Sequence, residues 1–172
     1  MVEAGKPKKL ALTAVMRKLI ILANTLIAQG ADIIYQAAGG SGNGVINFVN
    51  EKMCFVPNVA TRATPIDAQL ANIAKPAGYD AACGAGSHPI FFIGVDSNQN
   101  FRGDTDGDPA TMNHGLTSML KRVDVAAYNA VYDTARGTFS AGLMELGVAE
   151  DGVGYAIDEY NQSLIPETIR NV

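Results

Sequence analysis

The chain has 172 residues, 48% of them hydrophobic and 17% charged, with eighteen glycines, no tryptophan and a net charge of −4. That length suits one ordinary domain with a core and is too short for two, and the acidic balance excludes nucleic acid as a partner of the whole chain. The charge is split: residues 1–30 carry Lys6, Lys8, Lys9, Arg17 and Lys18 against Glu3, a balance of +4, so the rest of the chain holds −8.

Such a break between segments points to two origins or two jobs, and the chain divides into 1–29 and 30–172. Met1–Lys9 is basic and contains a proline. From Leu10 to Ala28 the polar residues Lys9, Thr13 and Arg17 recur every fourth position, which predicts a helix with one polar stripe, stopped by Gly30. Arg17 and Lys18 near its centre argue against a membrane span. No small-residue cleavage box or lipid-acceptor cysteine follows. As written, the chain is expected in the cytoplasm.

Ala31–Ala38 is a short apolar run ended by Gly39-Gly40 and predicts a buried strand. A helix over Gly44–Lys52 follows, capped by Asn43 or Ser41. Residues 53–88, with Pro57, Pro65 and Pro76, form a long irregular insert in which Ile66–Ala74 suits a short helix; such inserts usually have a function of their own. Cys54 and Cys83 fit either one disulfide or two unrelated small residues. Ile90–Val95 is the clearest strand, unbroken and apolar as a strand buried on both faces should be. A polar loop over 97–114 leads to a strand at Leu116–Leu120. Arg122–Arg136 predicts an amphipathic helix with Val123, Ala126, Ala127, Ala130 and Val131 inside and Gly137 as its stop. Weak strands at Gly142–Leu146 and Val153–Ala156 and a helical start after Pro166 complete the chain. Strand–helix alternation gives an α/β fold with a largely parallel sheet flanked by helices, plus the N-terminal helix.

In open parallel sheets, ligands bind beyond the carboxyl ends of the strands. Three predicted strand ends carry informative residues: the glycines Gly39 and Gly40, then Asp96, then Lys121. Glycines let a ligand approach the backbone, a carboxylate accepts from hydroxyls, and an ammonium donates to the same sugar oxygens. The run GGSGNG lacks the Lys-Ser/Thr of a phosphate loop and reads as a strand-to-helix turn. Asp104–Asp108 lacks the spacing of a calcium loop and reads as a solvated turn. No catalytic set stands out: there is no nucleophile elbow, no zinc-binding HExxH and no cysteine beside a base. His88 and His114 suit structural or surface roles, and Tyr128 and Tyr132, one helical turn apart, suit packing. The residues therefore predict no enzyme, metal site or cofactor.

Several stretches resemble the basic-membrane-protein family of ABC-transporter solute-binding lipoproteins, which includes purine nucleoside receptors. They are ADIIYQAAGGSGNGVI (31–46), FIGVDSNQN (92–100), LTSMLKRVDVAAYNAV (116–131), GVGYA (152–156) and LIPETI (164–169). The resemblance implies that residues 30–172 form the C-terminal lobe of a periplasmic-binding-protein type I fold. It implies a nucleoside-like ligand faced by Gly39, Gly40, Asp96 and Lys121, an ABC permease and ATPase as partners, and an extracytoplasmic, membrane-anchored setting. The insert at 53–88 departs from the compact family pattern. Residues 5–27 (GKPKKLALTAVMRKLIILANTLI) resemble instead the C-terminal tail of DEDD-type insertion-sequence transposases, without that family's nuclease carboxylates. The expectation is a truncated solute-binding protein that binds a nucleoside or similar small solute at the sheet edge. The alternatives are a transposase-derived fusion remnant with DNA-binding or no function, and an intracellular α/β ligand-sensing domain.

Overall fold

The computed structural model describes residues 31–55, 70–84, 86–165 and 167–170. The N-terminal helix read over Leu10–Ala28 lies outside the described residues, as does the first half of Ile66–Ala74. The described half of that stretch is a turn, in which Ile73 N donates to Leu70 O at 3.2 Å.

The sheet grows from the most apolar run in the chain. Strand β1 (Ile33–Tyr35) pairs in parallel with Phe91–Gly94, which pairs in parallel with Gly115–Lys121. In chain order these become β4 and β5, because a two-stranded antiparallel ribbon, β2 (Cys54–Phe55) with β3 (His88–Pro89), intervenes. A last strand, β6 (Val153–Tyr155), pairs with β5, giving the order β1-β4-β5-β6. Helix α1 (Asn43–Lys52) lays Val45, Ile46 and Val49 on one sheet face, where they enclose Ile34, Ile90 and Phe92. On the other face Phe91 is buried with Leu70, Tyr79, Cys83, Met112, Leu164 and Ile165. Phe91 and Phe92, adjacent in sequence, thus anchor opposite layers. Each large apolar side chain so buried contributes about 1.5–3 kcal/mol.

The described part of the insert is braced against the core. Helix α2 (Tyr79–Cys83) buries Tyr79 and Cys83 in the second cluster, and Cys83 forms a disulfide with Cys54 at the start of β2, with Cα atoms 5.9 Å apart.

Three expectations are corrected. Neither Asn43 nor Ser41 caps α1. Ser41 Oγ donates to Ala38 O (2.7 Å), closing a 3-10 turn over Gly39–Gly42, and Asn43 Oδ1 accepts from Arg102 Nη1 (2.6 Å). Gly142–Leu146 is not a strand, and its residues face solvent except the half-buried Leu146. β6 runs antiparallel to β5, its chain returning through the Gly147–Gly152 turn, where Gly152 N donates to Gly147 O (2.9 Å), so the sheet is largely parallel, as expected, with one antiparallel edge. Helix α3 (Val123–Arg136) has its expected bounds and its left-handed Gly137 stop, but it buries no residue. Ala126 and Ala130 are half-buried, Ala127 is exposed, and Val123 and Val131 are 73% and 71% exposed. Tyr128 and Tyr132 stack on each other, ring centres 5.8 Å apart, and both are exposed. The apolar period of α3 is real, but no described element lies against that face. A final helix, α4 (Glu167–Arg170), follows Pro166.

Candidate ligand-binding edge

The carboxyl ends of β1, β4 and β5 are adjacent, so the turns that leave them share one edge of the sheet. β1 runs into the 3-10 turn of Gly39 and Gly40. β4 runs through Val95 to Asp96, and β5 ends at Lys121. Lys121 Nζ lies 2.5 Å from Asp96 Oδ1, and Lys121 N donates to Asp96 O at 3.1 Å. The other carboxylate oxygen, Asp96 Oδ2, sits 3.6 Å from where a Cβ on Gly39 would lie, and nothing stands within 4 Å of that position on Gly40. Asp96 and Lys121 are therefore in contact, Gly39 lies beside the Asp96 carboxylate, and Gly40 flanks them in the open.

Two backbone features aim the carboxylate. Asp96 has φ of 72°, in the left-handed region that non-glycine residues enter at a cost, and Gly39 has φ of 45°. The side chains of Lys121 and Asp96 are 60% and 44% exposed, so the pair faces solvent. The Asp96 hydrogen bond first, and its charge second, hold the Lys121 ammonium above its ordinary pKa. At neutral pH the edge thus presents a carboxylate acceptor and an ammonium donor side by side over a glycine turn. That set matches a ligand with neighbouring hydroxyls, which can donate to Asp96 and accept from Lys121.

Beneath this edge lies a buried polar network that the sequence reading passed over. Asn100 is fully buried. Its Oδ1 accepts from Ser118 Oγ (2.7 Å), and its Nδ2 reaches Ala156 O (3.3 Å) and Asp158 Oδ2 (3.2 Å). Asn98 Nδ2 donates to the same Asp158 oxygen (2.6 Å), and Asn98 Oδ1 accepts from Asn100 N (2.9 Å). Asn161 Nδ2 donates to Leu116 O (2.8 Å) and Ala156 O (2.9 Å). The signal was the polar run Asn98-Gln99-Asn100 directly after the apolar strand, where a solvated loop and a buried network share the same composition.

The remaining candidates fall elsewhere. His114 is buried, its Nδ1 bonded to Ile90 O (2.8 Å); burial first, and the Lys75 charge in the same direction, lower its pKa, while the Ile90 bond works against them. His88 lies in β3 near the Phe55 ring. The Asp104–Asp108 run uses its carboxylates in hydrogen bonds within the protein. Asp104 Oδ1 accepts from Asp106 N (3.1 Å) and Gly107 N (2.7 Å), and Asp106 accepts from Ala77 N (2.8 Å) and Thr111 Oγ1 (3.1 Å). Among the described residues no helix is long and apolar enough to cross a membrane.

No protein-family profile matches the chain. Over 164 residues it is 28% identical to a CD4+ T-cell-stimulating antigen of Listeria innocua serovar 6a and 27% identical to one of Listeria monocytogenes serovar 1/2a, each match covering 87% of this chain and 38% of the relative. The chain therefore spans under two fifths of the length of these curated relatives. Among solved structures it is similar to a solute-binding protein of an ABC transporter system from Aeropyrum pernix K1, at 27% identity and a TM-score of 0.46, covering 80% of this chain and 27% of that one.

Proposed function

We propose that this chain carries the ligand-binding edge of a solute-binding protein serving an ABC importer, and that the ligand is a nucleoside or a similar small solute with paired hydroxyls. The observation that carries the reading is the convergence of Gly39, Asp96 and Lys121 from three strand ends onto one exposed spot. Asp96 accepts from the ligand hydroxyls, Lys121 donates to their oxygens, and the glycine turn lets the sugar approach the backbone; no bond is made or broken. The paired Cys54 and Cys83 support an oxidising, extracytoplasmic place of work, where disulfides persist. A permease and ATPase are the partners of this reading.

Binding proteins of this kind close two lobes around the solute. An open edge supplies roughly half of the contacts, and halving a free energy of about −8 kcal/mol leaves the millimolar class. Titration of the chain with guanosine, adenosine, inosine and uridine, followed by amide and side-chain NMR shifts, tests this. The expected result is millimolar binding with shifts at Gly39, Gly40, Asp96 and Lys121. No shift at these residues for any of the four at saturating concentration rejects the site, and low micromolar affinity rejects the half-site.

A further inference from the structure

Asp96 holds an unfavourable backbone conformation in a turn that faces solvent, so something beneath must impose it. The side chain that ties this turn from within is Gln99. Its Oε1 accepts two hydrogen bonds, from Val95 N (3.0 Å) immediately before Asp96 and from Gln36 Nε2 (2.8 Å). Its backbone N donates to Ser118 Oγ at 2.9 Å, tying the same turn to β5. Because Val95 N–H can only donate, the atom facing it is the carboxamide oxygen, and Gln36 must therefore present its NH2.

Gln36 connects this turn to the other one. It is 3% exposed, it follows β1, and its backbone O accepts from Ala38 N (2.8 Å) at the entrance to the Gly39–Gly42 turn. The far end of its carboxamide fills the space beside Gly42, where a Cβ would collide with Gln36 Oε1. One buried side chain thus touches the glycine turn at one end and the clamp on the Asp96 turn at the other.

We propose that the Gln36–Gln99 carboxamide pair is a positioning strut that fixes the spacing between the Gly39 turn and the Asp96 turn, without contact with ligand. Its consequence for affinity rests on the ligand-site reading above; the strut itself does not. The bond polarity makes a specific demand. Gln99→Glu keeps an oxygen facing both donors, whereas Gln36→Glu removes the donor and sets a carboxylate oxygen against Gln99 Oε1. Gln99→Ala removes both bonds, and Gly42→Ala displaces Gln36 from the other side.

Amide hydrogen exchange on the full chain reads the strut without any ligand. The Lys121 N–H, which donates to Asp96 O, reports the Asp96 turn, and the Phe92 N–H, which donates to His114 O, reports the core. In Gln99→Ala, Gln36→Glu and Gly42→Ala, Lys121 exchange is expected to rise about tenfold, the scale of one lost hydrogen bond, with Phe92 within about twofold of wild type. Gln99→Glu is expected to leave both rates within about twofold of wild type. Equal effects of Gln36→Glu and Gln99→Glu, or parallel acceleration of Lys121 and Phe92 in Gln99→Ala, overturn the strut. Should one of Gln99→Ala, Gln36→Glu and Gly42→Ala fail to fold, the other two against Gln99→Glu still carry the contrast; should Gln99→Glu fail, the Lys121-against-Phe92 comparison in the other three decides. Millimolar nucleoside binding, where present, should weaken about tenfold in the first three variants and not in Gln99→Glu. Absence of nucleoside binding in the wild type would reject the ligand reading alone, and the exchange data would still decide the strut.

Discussion

Two neighbouring regions of this chain share a residue boundary and little else. From Val95 to Lys121 the backbone is irregular for most of its length, yet side chains from outside it, Gln36, Asn43, Asn50, Asp158 and Asn161, bond to it, and Asn100, Asn113, His114 and Ser118 are buried. From Val123 to Val148 the backbone includes a regular fourteen-residue helix, yet nothing there is buried, and Leu143 is 93% exposed. Regular secondary structure and structural anchoring are therefore separate properties. A helix of this length is marginal in water unless an apolar face is packed, whereas a loop tied by buried side-chain hydrogen bonds is held in place. Of the proposed ligand-facing residues, Asp96 and Lys121 sit in the anchored region, as a site built to hold a fixed geometry requires.

The strongest way to break this contrast is to truncate one apolar side chain in each region. Phe92→Ala, beneath the anchored edge, is expected to cost about 3–5 kcal/mol, while Val131→Ala should leave the denaturant midpoint unchanged. A matching loss at Val131 would show that α3 is packed in solution. The disulfide sharpens the same comparison, because it ties the insert to the core under β4. Closing a loop of 29 residues is worth about 3–4 kcal/mol in the chain-entropy account, so Cys54→Ser with Cys83→Ser should lower the melting temperature strongly. Exchange in α3 should be unaffected; acceleration there would mean that the arm depends on the insert. Asn100→Ala leaves Ser118 Oγ without its acceptor and removes one donor each from Ala156 O and Asp158 Oδ2, and should cost about 1–3 kcal/mol, read as a shift in urea midpoint. A cost near zero would mean that water substitutes for the side chain.

The smallest effect is a pH dependence confined to the anchored region. His114 is neutral in the fold because burial lowers its pKa below 6.5. The sign follows: the unfolded chain binds the proton first, so this contribution is complete above pH 6.5 and is lost as pH falls from 6.5 toward the lowered native value. Melts between pH 8 and 5 should show that slope, and His114→Gln should flatten it. An unchanged slope in the variant would assign it to another group.

Much of this was legible in the sequence. The run Ile90–Val95 reads as a buried strand, Gly137 as a helix stop, and Gly39, Gly40, Asp96 and Lys121 as residues at strand ends. Local chemistry determined these, because apolar period and turn residues act within a few positions. Tertiary structure alone decided the rest. Whether the apolar face of α3 is covered depends on what lies opposite it, and that is not written in the helix. Whether Cys54 meets Cys83 depends on the path of the insert between them. Gln36 and Gln99 are ordinary polar residues until the parallel pairing of β1 with β4 puts one carboxamide within 2.8 Å of the other. Their role comes from a contact across 63 positions of chain, and contacts at that range follow from the packing of the sheet as a whole.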